Sequence, residues 1–68
     1  MTVDEMYAQT GSPTESLIIE PLNRFFQHLP ASDERWVARH SDWYGYDLTP
    51  GAALERLLQT FADDMARP

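Results

Sequence analysis

His28 and His40 are the two imidazoles of this 68-residue chain, and they are the first side chains whose chemistry has to be weighed. A helical or finger-type metal pair sets its histidines three to five residues apart. Here they are twelve positions apart with Pro30 between them, so no metal site is expected. His40 beside Asp42 has the composition of a base and its orienting carboxylate, but residues two apart on a helix point in different directions. The expected state of His40 is a ring half buried between Trp36 and Trp43, with one nitrogen bonded to a backbone carbonyl or water. Nucleophilic catalysis has less support: there is no Cys, and Thr10, Ser12, Ser32 and Thr49 read as turns or helix caps rather than members of a Gly-flanked elbow. There is no Gly-rich phosphate loop. The sequence therefore assigns no catalytic residue and no cofactor, and a non-enzymatic protein is expected.

Binding chemistry is better represented. Four of the eight aromatic residues fall between Trp36 and Tyr46. Trp and Tyr bury large areas on few rotatable bonds, which makes them the currency of both small cores and binding hot spots. Trp43, Tyr44 and Tyr46, with Arg39, Asp42 and Asp47 close by, match an aromatic anchor with a polar rim, and these six form the candidate protein-binding set. The competing interpretation is that the rings close the open end of the core.

Five Arg, no Lys and eleven acids give a net charge of −6, which opposes binding to nucleic-acid phosphates and anionic lipid. The arginine bias, with abundant Ala, points to a GC-rich coding genome, bacterial or phage. No stretch approaches the roughly 18 apolar residues of a membrane span, and Met1-Thr-Val-Asp-Glu-Met is acidic where a signal peptide is basic. A cytoplasmic, unprocessed protein is expected. Without Cys, no disulfide can supplement a core that is marginal at this length, so a homodimer is plausible.

Positioning these residues falls to four predicted helical segments. Thr2 and Glu5 have capping-box spacing ahead of Val3, Met6 and Tyr7, a short helix and turn over 1–11 that would be loosely attached without a tertiary contact. Ser12, Pro13 and Glu15 signal a second start, followed by Ile18, Leu22, Phe25, Phe26 and Leu29 at helical spacing. Pro21 would kink or divide that helix. The segment 16–20 could instead be a strand, but a lone strand needs a partner. Ser32, with Asp33 and Glu34, caps a third helix carrying Trp36, Val37, His40 and Trp43 or Tyr44 on one face, with Arg39 and Asp42 able to meet outside it and Gly45 as its stop. Tyr46-Asp47-Leu48 is a linker. Thr49-Pro50 then starts a last helix with Leu54, Leu57, Leu58, Phe61 and Met65 on one stripe.

The expected fold is thus all-α: a single helical domain over 1–68, a three- to four-helix bundle packed around Leu22, Phe25, Phe26, Leu29, Trp36, Val37, Leu54, Leu57, Leu58 and Phe61. The expected function is that of a small acidic protein that docks on a larger protein with a basic surface and inhibits or regulates it, in the manner of phage inhibitors, antitoxins and immunity proteins. The alternatives are a homo-oligomeric structural or accessory subunit, and an acidic DNA mimic using the doublets Asp4-Glu5, Asp33-Glu34 and Asp63-Asp64.

Overall fold

The computed structural model describes residues 1–11 and 16–67. Its elements are α1 (Val3–Thr10), β1 (Ile18–Pro21), the single turn α2 (Leu22–Phe25), β2 (Trp36–His40), β3 (Trp43–Asp47) and α3 (Pro50–Ala66). The three strands form one antiparallel sheet in the order β1-β2-β3. The fold is a strand meander with helices, and the all-α bundle is overturned.

The correction turns on one segment. In place of a third helix capped by Ser32, the chain from Trp36 to Asp47 is a hairpin whose closing pair is His40 and Trp43. Trp, Val and Tyr favour a pleated surface, and the two residues between the strands, Ser41 and Asp42, make the turn. Ser41 has a φ of 54°, the positive first position of the tight turns that match strand twist. Once this hairpin exists, Ile18–Pro21 has its partner: Ile18 pairs with Arg39 and Glu20 with Val37. Pro21 therefore ends a strand instead of kinking a helix, and Tyr46 and Asp47 belong to β3 instead of a linker. The cap signal at Ser12, Pro13 and Glu15 lies outside the described residues.

Both terminal helices form where the caps predict them. The Thr2 hydroxyl accepts the Glu5 N–H at 3.2 Å, and Gly11 closes α1 with a φ of 67°. Thr49 accepts the Ala52 N–H at 3.1 Å, with Pro50 opening α3.

Strand alternation divides the sheet into two faces. Trp36, Ala38, His40, Trp43, Gly45 and Asp47 face α3. Val37, Arg39, Tyr44 and Tyr46 face the other way, together with Ile18 and Glu20 of β1. The core lies on the first face, where Ala38 packs with Met6 of α1 and Ala53, Leu57 and Phe61 of α3. Met6 thus supplies the contact that an isolated two-turn helix lacks. Of the predicted core, Leu22, Val37, Leu57 and Phe61 are buried. Trp36, Leu54 and Leu58 are half buried at its margin, while Phe25, Phe26 and Leu29 are half buried away from it.

Gly45 does not stop a helix. It lies mid-strand beneath α3, where a Cβ would meet the backbone of Arg56 and Leu57. The glycine lets α3 descend directly onto β3.

Candidate functional site

The six residues of the candidate binding set do not share one surface. Trp43 projects toward α3. Its ring meets Phe61 edge-on at 4.9 Å, and its Nε1–H donates to Asp64 Oδ2 at 3.0 Å. It is half buried and serves chiefly to pin the hairpin to the helix. Asp47 accepts the Leu48 N–H at 2.7 Å and the Arg56 Nε–H at 3.2 Å, joining the end of β3 to α3. These contacts, the Leu48 N–H first and Arg56 second, hold its carboxyl below the usual carboxylate value. Asp42 is exposed in the hairpin turn. Arg39 does not meet Asp42, because the turn separates them onto different parts of the sheet; its Nε lies 3.6 Å from Glu20 Oε1 across the β1–β2 pairing.

Tyr44 and Tyr46, two apart on β3, share the face opposite α3. Their rings are stacked, 6.4 Å between centroids with 17° between planes, and they are 44% and 46% exposed. Around them the chain after β1 builds a wider aromatic surface. Phe25 lies 6.1 Å and Phe26 6.3 Å from the Tyr44 ring. The Arg39 guanidinium sits 5.0 Å from the Phe25 ring centre and the Arg35 guanidinium 5.5 Å from that of Tyr46, within cation–π range. A shallow cleft of about 280 Å³ opens between Phe26, His28, Leu29, Arg35 and the two tyrosines.

Sequence reasoning missed Phe25, Phe26, His28 and Arg35 as members of this surface. Read as one helical stripe, the two phenylalanines go to a core. The usable signal was Pro21, which ends the strand and turns the following residues under the sheet.

Arg35 is held in place by Asp33. The Asp33 carboxylate accepts the Arg35 backbone N–H at 3.0 Å and pairs with its guanidinium, the shortest contact being 2.7 Å from Nη2 to Oδ2. The side-chain contact, with the backbone bond next, pulls the Asp33 pKa down, and the same side-chain contact raises that of Arg35. Asp33 is therefore a clamp on an arginine and not a first-turn helix residue. A guanidinium already paired and stacked is pre-organised for planar recognition.

His40 departs from expectation in the other direction. It is fully buried, and its neighbours are Tyr7, edge-on at 5.2 Å, Thr10 Oγ1 at 3.2 Å from Nε2, and Ser16 Oγ at 2.7 Å from Nδ1. The Thr10 hydroxyl also donates to the Tyr7 carbonyl at 3.4 Å. These contacts tie α1 to the sheet. Among the described residues no group of three His, Asp or Glu side chains is placed to hold a metal ion. Likewise none of the described helices is long and apolar enough to cross a membrane. No protein-family profile, curated protein or solved structure matches the chain.

Proposed function

We propose that this chain is a non-enzymatic binding protein of a bacterial or phage cytoplasm that docks on a larger protein and inhibits or regulates it. The observation that carries the proposal is the stacked, half-exposed pair Tyr44 and Tyr46 on the sheet face opposite α3, framed by Phe25 and Phe26 and bordered by Arg35 and Arg39. Rigid aromatic anchors with adjacent arginines are the composition in which interface binding energy concentrates. Their two-residue spacing on a strand gives both rings one orientation at low entropic cost. Asp42, Asp63 and Asp64, exposed at the hairpin end, complement a basic region on the partner and would accelerate encounter.

The test is affinity capture from a lysate of a GC-rich bacterial host, comparing the wild-type chain with Tyr44→Ala/Tyr46→Ala. Neither ring enters the core cluster, so the double variant should unfold within about 1 kcal/mol of wild type. It should also lose the captured protein. Retention of that protein by a folded double variant would refute docking through this face.

A further inference from the structure

β3 is an edge strand, and its outer edge carries consequences that its side chains do not. In a two-residue hairpin the closing pair exchanges both backbone hydrogen bonds and the pairs then alternate. His40–Trp43, Ala38–Gly45 and Trp36–Asp47 are therefore the bonded pairs in this register. The backbone N–H and C=O groups of Tyr44 and Tyr46 consequently point away from the sheet. The same parity, carried across β2, places the bond from the Leu22 N–H to the Arg35 carbonyl where it is found, at 2.8 Å. At the opposite edge, β1 carries Pro21, which has no N–H to offer an incoming strand. β3 has no such guard.

A trough runs along this edge between the strand and α3. One part, of about 430 Å³, lies beside Tyr44 to Leu48 and is flanked by Arg35 and Arg56. The other, of about 500 Å³, lies beside Asp42 and Trp43 and is flanked by Asp63, Asp64 and Arg67. Thr60 lines both. The two ends differ in charge. Arg35 and Arg56 are each paired with an aspartate, whereas Asp42, Asp63 and Asp64 have no ion-pair partner among the described residues.

We infer that the β3 edge takes an extended segment of a partner protein, added antiparallel as a fourth strand, with basic side chains at the end beside Asp42, Asp63 and Asp64. A second copy of this chain fits poorly. α3 sits directly over Gly45 of β3, so pairing two copies edge to edge brings two helices to about one strand spacing, roughly 5 Å, where packed helices need 8–10 Å. An extended segment brings no such helix.

This inference deepens the docking proposal and rests on it. It is tested separately, with the peptide acetyl-Thr-Val-Thr-Val-Thr-Arg-Arg-amide titrated into the isotope-labelled full chain. Antiparallel addition sets its C-terminal arginines beside the start of β3. The amide resonances of Tyr44 and Tyr46 should shift. Asp63→Lys should weaken binding about fivefold, and N-methylation of the peptide amides facing β3 should abolish it. No shift at either amide up to about 5 mM peptide overturns the edge assignment, and so does equal binding of the N-methylated peptide. Protection of those amides in a sedimenting dimer of the chain alone also overturns it, in favour of a second copy. Tyr44→Ala/Tyr46→Ala keeps the edge backbone and removes the rings. If it loses partner capture while the wild type ignores the peptide, the face is right and the edge wrong. If it keeps capture while the wild type binds the peptide, the reverse holds.

Discussion

A Cβ added to Gly45 would lie 2.6 Å from the carbonyl carbon of Arg56 and against the Leu57 amide nitrogen. The obstacle is backbone, which cannot swing aside as a side chain can. Gly45→Ala should therefore lift α3 off the sheet and destabilise the chain by about 3 kcal/mol, read as a lowered urea midpoint; an unchanged midpoint would show that the helix does not descend there. The neighbouring side chains follow from the same closeness. Trp43 is drawn beneath α3 onto Phe61, and Tyr44 and Tyr46, on alternate positions or of opposite parity to Gly45, are left on the far face. The cluster Trp43-Tyr-Gly-Tyr is legible in the sequence as a place where rings collect. Which ring is core and which is surface depends on strand parity, and a helical interpretation assigns it wrongly.

Among the elements, the terminal helices are legible because their signals are local. A Thr cap, a Pro at the first turn and an apolar stripe act within a few residues. The strands are not, because each of β1 and β2 is stabilised by a segment distant along the chain. The segment 16–20 reads as helix, its strand alternative lacking a partner, until the hairpin supplies Trp36–Arg39 to pair with Ile18–Pro21. α1 depends on such a long-range tie too, through His40, which holds Thr10 and Ser16 and packs on Tyr7. His40→Leu keeps the bulk and removes the ring nitrogens that meet the Thr10 and Ser16 hydroxyls. It should cost about 2 kcal/mol. Amide hydrogen exchange should accelerate across Val3–Thr10 while the protected centre of α3 changes little. Uniform acceleration in both helices would mean that α1 and α3 open as one unit rather than that His40 anchors α1 alone.

At the scale of the whole molecule, two paired carboxylates make stability depend on pH. Asp33, through Arg35, and Asp47, through the Leu48 N–H and Arg56, are both held below the usual value of 3.8. A depressed folded-state pKa contributes stability that is complete above the unfolded value and is lost as pH falls through the folded one. The wild type should thus lose stability on acidification below pH 3.8. Asp33→Asn and Asp47→Asn should each flatten that part of a plot of thermal midpoint against pH, and parallel curves would assign the dependence to other acids. The sequence by itself determined the acidic charge, the two terminal helices with their caps, and the concentration of rings near Gly45, all properties of composition or of neighbours a few residues apart. Only the tertiary structure decided that the middle of the chain is a sheet, that Trp43 turns inward while Tyr44 and Tyr46 turn outward, and that His40 is a buried tie. Those outcomes follow from pairing across the sheet and from the descent of α3 onto one glycine, interactions between segments that no local period records.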